Sequence, residues 1–133
     1  MGSAHIVIVS HSRELGGGLV RLLGQLSGGD VDIRNAAGLD DRIGTDATHI
    51  AAVLASCPPE GDILVFFDIG SAFLNTEMAM ELLPDNVTKR VHIVDAPLVE
   101  GAVAATVAAG ASLPCDIIIK KAVQTRTTEK VLR

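Results

Sequence analysis

The sequence predicts an α/β fold: an open, doubly wound, mostly parallel sheet of order 2-1-3-4 with a fifth C-terminal strand, and helices on both faces. Three observations predict it. Short apolar runs recur along the chain and stop abruptly at polar residues. Each is followed by a stretch whose apolar residues return at helical spacing, and such alternation implies a parallel sheet covered by helices. The chain has 133 residues, 48% of them hydrophobic, which suits one domain with a sizeable core. That domain is read as 1–133, with a core over about 5–120 and a tail over 121–133.

The first run, Ile6-Val7-Ile8-Val9, ends at Ser10-His11-Ser12 and reads as a buried parallel strand. Leu15, Leu19, Leu22, Leu23 and Leu26 then form one helical stripe, which Gly28-Gly29 terminates. Gly16-Gly17-Gly18 is a poor helix-forming run, and close backbone packing would account for it. A second strand is expected over 31–36. A polar loop over 37–46 follows, with Thr45 as the cap of a helix over roughly 46–56. Ile50, Val53 and Leu54 give that helix its apolar face, and Pro58-Pro59 stop it. The third strand, 63–67, ends at Asp68. Gly70-Ser71 open a helix with Leu74, Met78 and Leu82 inward, closed by Pro84. The fourth strand covers 91–94. Pro97 suits the first turn of an Ala-rich helix with Val99, Val103 and Val107 on one stripe. Residues 117–119 read as the fifth strand, and the remainder as a frayed or lightly docked tail.

Composition excludes several classes. The net charge is −5, with 11 basic against 16 acidic residues, whereas a nucleic-acid binder shows a basic stripe. There is no Trp or Tyr and only three Phe, too few for a base-stacking platform. No apolar stretch approaches the roughly 20 residues that span a bilayer. The N-terminus has neither a basic segment nor an h-region, so no signal peptide is expected. Cys57 and Cys115 lack CxxC spacing and read as reduced thiols of a cytoplasmic protein. Met1-Gly2-Ser3 reads equally as a native start or a cloning remnant and carries no weight.

Reactive groups of open α/β folds sit beyond the carboxyl ends of the strands, at the point where the strand order reverses. In the order 2-1-3-4, which right-handed crossovers and short loops favour, that point lies between strands one and three. His11 stands at one lip and Asp68 at the other. A neutral imidazole can attack phosphorus through one nitrogen while a carboxylate holds the proton on the other and stabilises the developing charge. The N–H groups of Gly70, Ser71 and Ala72 open a helix and offer an anion site. The hydroxyls of Ser71, Ser10 or Ser12 can add a bond. His11 is therefore the candidate nucleophile and Asp68 the residue that orients it. Gly70, Ser71, Ala72, Ser12 and Thr45 are the candidate phosphate-binding set. Four of these residues have a plainer role open to them: His11 as an ordinary polar residue at a strand end, Asp68 and Ser71 as helix caps, Thr45 as a structural residue.

Four blocks appear in order: Ser10-His11-Ser12, then Ala36-Ala37-Gly38 with Gly44-Thr45-Asp46, then Asp68-Ile69-Gly70-Ser71-Ala72, then Ala96-Pro97-Leu98-Val99-Glu100-Gly101. Together they resemble the EIIA domain of the mannose class of the bacterial phosphotransferase system, from about residue 6 to residue 119. The Gly-Thr-Asp loop and the Pro-Leu-Val-Glu-Gly block favour the branch that serves a phosphoenolpyruvate-dependent dihydroxyacetone kinase over sugar-transport relatives. The resemblance implies a cytoplasmic homodimer in contact through its last strand. It implies that His11 takes a phosphoryl group from the carrier HPr and passes it to ADP on a partner kinase subunit. The regenerated ATP then phosphorylates dihydroxyacetone held on a third subunit. On that reading the chain binds no cofactor of its own, because ADP/ATP and Mg²⁺ belong to the kinase subunit. The family generally uses Nε2, and longer members continue into HPr-like domains, so the chain resembles the short form.

The other histidines give no metal signal. His5, His49 and His92 lack paired ligand spacing, so no metal site is expected. His49 should lie on a solvated helix face and His92 should be a satisfied sheet residue. Glu100 reads as a complement to a helix dipole, and Phe73 as core or as a docking contact. Two other functions stay open. One is a receiver-type domain phosphorylated on Asp68 with Lys120 or Lys121 nearby, although the Mg²⁺-binding acidic pair is missing after strand one. The other is a small-ligand interaction domain using the same crevice.

Overall fold

Alternation of side chains decides where the core lies. In the first apolar run Ile6 and Ile8 join one buried cluster, while Val7 and Val9 join another. A strand that buries both faces needs covering on both sides, and the computed structural model, which describes residues 4–132, provides it. The elements are β1 (Ala4–Val9), α1 (Arg13–Ser27), β2 (Asp32–Asn35), α2 (Ala47–Ser56), β3 (Asp62–Phe67), α3 (Gly70–Glu81), α4 (Asp85–Thr88), β4 (Val91–Ile93), α5 (Leu98–Gly110) and α6 (Cys115–Gln124). The four strands pair in the order β2-β1-β3-β4, all parallel. The predicted class, order and two-sided covering hold. The expected reading of Met1-Gly2-Ser3 lies outside the described residues.

One face carries Ile6, Ile8, Leu64 and Phe66 against Leu19 and Leu23 of α1, Ala102, Ala105 and Ala108 of α5, and Ile118 and Ala122 of α6. The other carries Val7, Val9, Ile63 and Val65 against Ile50, Ala51 and Leu54 of α2 and Ala72 and Ala79 of α3. Strands β1 and β3 supply the bulk. Over them α3 and α5 supply small residues, which lets those two helices approach the sheet closely, while α1, α2 and α6 add Leu and Ile side chains.

That division corrects the expected helix faces. Leu74, Met78 and Leu82 were expected inward on α3 but lie on its exposed side, and Ala72, Thr76 and Ala79 meet the sheet. Along α5, Val99 and Val107 face solvent while Gly101, Ala102, Ala105, Thr106 and Ala108 are buried. A Cβ on Gly101 would stand 2.6 Å from that of Ala96. Of the α1 leucines, Leu19 and Leu23 are buried and Leu15, Leu22 and Leu26 exposed.

The fifth strand does not form. Residues 117–119 lie inside α6, so the tail begins later than expected and the helix continues to Gln124. Pro114 caps this helix, Asp116 lies in its first turn and Lys121 in its last, all of which favour a helix in that polarity. Asp46 rather than Thr45 caps α2, its Oδ1 accepting from the Thr48 N–H at 2.9 Å. Pro97 is the cap residue of α5 rather than part of its first turn. Strand β2 is shorter than expected, and the short helix α4 was not expected. Gly28 ends α1 in the left-handed region, φ 66°, as its position predicted.

Candidate functional site

The carboxyl ends of β1 and β3 lie side by side, Val9 paired with Phe67, and the chain turns into a helix immediately after each. His11 follows β1 by two residues and Asp68 follows β3 by one. The reversal of strand order thus brings the two together. His11 Nδ1 lies 2.9 Å from Asp68 Oδ1.

Asp68 is held from four sides. Its Oδ2 accepts from the His11 backbone N–H at 2.8 Å and the Ser10 hydroxyl at 2.9 Å. Its Oδ1 accepts from the Ile69 N–H at 2.7 Å and from His11 Nδ1. Burial alone would raise this carboxyl. The hydrogen bonds from the His11 backbone, the His11 ring, Ile69 and Ser10 outweigh it and hold the group below the usual carboxylate range. An ionised carboxylate only accepts, so Nδ1 carries the ring proton. Nε2 is then the acceptor, and the Ser71 hydroxyl donates to it at 2.6 Å.

Ser10 is wholly buried and its hydroxyl bonds to Asp68 while accepting from the Ser12 N–H at 3.1 Å. It fixes the carboxylate and is turned away from any phosphate. Ser12 caps α1, accepting from the Leu15 N–H at 3.1 Å. Two helix N-termini, of α1 and α3, therefore open beside His11, and both favour negative charge there. Ser71 is not the cap of α3; that position is Ile69, with no side-chain cap bond. Gly70 and Ser71 are exposed in the first turn, whereas Ala72 is fully buried and its N–H bonds to Ile69 O at 2.9 Å. Ala72 thereby leaves the expected set of donors. Thr45 takes a hydrogen bond from the Asn75 side chain, which ties its loop to α3. Phe73 is half-buried against Phe67, ring centroids 5.8 Å apart.

Residues that the motifs did not single out one by one hold His11 in place. The Gly38 N–H donates to Ser10 O at 2.7 Å and the Gly44 N–H to His11 O at 2.8 Å. Gly38 has φ 77°, and a Cβ there would stand 2.7 Å from the Arg13 nitrogen. Only glycine combines that backbone with that approach. The available signal was a glycine in a loop between strand and helix.

Elsewhere, His5 is buried, with Nδ1 2.8 Å from Asp32 Oδ2 and Nε2 2.8 Å from Glu60 O, a satisfied core histidine. His49 is exposed, as expected. Lys120 and Lys121 belong to α6 and not to the end of a strand, which removes the lysine that a receiver-type site needs. At the amino end of the sheet, His92 Nε2 lies 2.9 Å from Asp62 Oδ1, and Cys115 completes a group of three ligand-type side chains. Burial, and then the Asp62 and Asp116 carboxylates, push the Cys115 thiol up to about 12. Residues so far apart in sequence carry no spacing signal, so the motif reading missed the group. No helix among the described residues is long and apolar enough to cross a membrane.

Comparison with known proteins returns the same parallel α/β fold. The chain belongs to the EIIA-man family, described as "PTS system fructose IIA component", whose model matches residues 5–118. A Listeria innocua protein, "PEP-dependent dihydroxyacetone kinase 2, phosphoryl donor subunit DhaM", is 44% identical over 103 residues, 77% of this chain and 82% of its own. A Providencia stuartii phosphoryl donor subunit DhaM is 39% identical over 90% of this chain, which spans only 26% of that relative's length. A crystal structure described as that of "unknown function protein EF1359" superimposes with a TM-score of 0.88 at 31% identity, covering 98% of this chain and 99% of its own.

Proposed function

We propose that the chain is a phosphoryl carrier, accepting a phosphoryl group from phospho-HPr on His11 Nε2 and passing it to ADP on a dihydroxyacetone kinase subunit. The observation that carries this reading is the pairing of His11 Nδ1 with Asp68, which leaves Nε2 as the nitrogen with a lone pair. Relatives named as phosphoryl donor subunits of that kinase favour it over other uses of the fold.

In the first transfer the Nε2 lone pair attacks phosphorus. The new N–P bond forms as the P–N bond to the donor breaks, and the donor leaves as a neutral imidazole. The proton stays on Nδ1, so the ring becomes cationic, and Asp68 balances it. The amides of Gly70 and Ser71 and the Ser71 hydroxyl face the phosphoryl oxygens, with Ser12 and Thr45 in positioning roles. In the second transfer a terminal oxygen of ADP attacks, and Nε2 recovers its lone pair. The nucleotide and Mg²⁺ belong to the kinase subunit, whose ATP then phosphorylates dihydroxyacetone on a third subunit. The protein works in the cytoplasm as a homodimer.

The test is incubation with phosphoenolpyruvate, enzyme I and HPr, followed by mass spectrometry at neutral to alkaline pH. The expected result is a gain of one phosphate on His11, lost when the ADP-loaded kinase subunit is added. Label on Asp68 would overturn the assignment. The family description keeps a second reading, delivery to the next component of a sugar transporter. It would replace the first if that component, and not the kinase subunit, discharged the phosphate.

A further inference from the structure

Asp62, His92 and Cys115 take no part in the His11 site and stand at the other end of the sheet. Asp62 opens β3, and Asp68 lies just past its end. At about 3.3 Å per residue, that puts roughly 20 Å between the two places. Leu64 pairs with His92, so the two side chains share a sheet face, and Asp62, two residues before Leu64, shares it too. Cys115 opens α6, which packs on that same face through Ile118 and Ala122. One carboxylate oxygen, one imidazole nitrogen and one sulfur, from three different elements, lie within 4.8 Å of one another. The side chains of Asp62 and His92 are 40% and 39% exposed, so an ion can enter from solvent.

The donor set discriminates among cations. Mg²⁺ and Ca²⁺ want shells of six or more oxygens, which a thiol and an imidazole do not supply. One sulfur, one nitrogen and one carboxylate oxygen are the donors of four-coordinate zinc with three protein ligands and one open position. Zn–N and Zn–O bonds of about 2.0–2.2 Å at tetrahedral angles need those two atoms roughly 3.3–3.5 Å apart. The 2.9 Å Asp62–His92 contact must therefore open by about half an ångström, a movement that partly exposed side chains on neighbouring strands can make.

We propose that Asp62, His92 and Cys115 bind one Zn²⁺ ion, which ties the start of α6 to the β3–β4 edge and keeps a fourth position for water or an outside ligand. On binding, the Cys115 S–H bond breaks as the S–Zn bond forms, and the proton passes to buffer. His92 contributes the Nε2 lone pair with its ring proton on Nδ1, and Asp62 contributes a carboxylate oxygen.

Cobalt titration of the chelator-treated full chain tests this, because a thiolate bound to Co²⁺ gives a near-ultraviolet charge-transfer band. The expected result is a band that saturates at one ion per chain and disappears when Zn²⁺ is added. Cys115→Ser should abolish it with an unchanged circular dichroism spectrum. His92→Ala should weaken binding by more than the roughly 10–100-fold that losing a supporting residue costs. Cys57→Ser and His11→Ala should leave the band intact. Added Zn²⁺ should raise the melting temperature of the native chain but not of Cys115→Ser. No thiolate band at one equivalent, or a band that survives Cys115→Ser, would overturn the proposal.

Discussion

Asp68 concentrates the design of the site in one side chain. Four donors converge on its two oxygens, and its carboxyl is held below the usual range. A group whose pKa is lower in the folded than in the unfolded chain adds stability above the unfolded value and loses it as pH falls through the folded one. Urea unfolding measured between about pH 5 and pH 2 should therefore show an acid-sensitive component that Asp68→Asn lacks. The same variant should accept phosphate about 10²-fold more slowly or worse, since the imidazole loses its orienting partner. An unchanged rate would remove Asp68 from the mechanism. His11→Ala should fold normally and accept none. Both residues could be read from the sequence, because a polar residue closing an apolar strand is a conspicuous break in pattern. The bracing by Gly38 and Gly44 could not, since it depends on backbone groups whose partners are chosen by the fold.

Among the elements, the helices show where pattern reading reaches its limit. Periodicity located α1, α2, α3 and α5, but it assigned the wrong face to α3 because it assumes that large apolar residues go inward. Leu74→Ser should accordingly change stability by no more than about 0.5 kcal/mol, whereas a core leucine truncated to Ala costs about 2–5 kcal/mol. Thermal melts of Leu74→Ser and Leu23→Ala compare the two directly, Leu23 being fully buried. Gly38→Ala should destabilise by about 1–3 kcal/mol, from its left-handed backbone and the contact with Arg13. Thr106 lies on the buried side of α5, and its hydroxyl has no hydrogen-bond partner among the described residues. Thr106→Val should consequently be neutral or stabilising, a test of whether that hydroxyl is as unsatisfied as it looks. The run Ile117-Ile118-Ile119 passed for a strand because three β-branched residues fit either state. Pro114 before it and Lys121 after it were the signals that it is a helix.

For the whole molecule, strand order is what turns two distant residues into neighbours. Only the reversal between β1 and β3 puts a histidine and a carboxylate that are 57 residues apart within 2.9 Å. The order was readable from short connections and crossover handedness, and the approach of the two residues follows from it. The contact that the resemblance implied through a last strand has no such strand to use, since that segment is α6. Sedimentation of the isolated chain should still show two copies together on the proposed reading, and Lys120→Glu and Gln124→Glu on the exposed side of α6 should test whether that helix takes part. Of the two His11 ring nitrogens Nδ1 is committed to Asp68, which leaves Nε2, beside the Ser71 hydroxyl, as the one available. On the proposed reading that geometry has a kinetic meaning: the supplier and the recipient of the phosphate would compete for one berth and alternate. Turnover should follow ping-pong kinetics, with parallel lines in double-reciprocal plots, and surplus unphosphorylated HPr should slow the relay by occupying the berth when it has nothing to deliver.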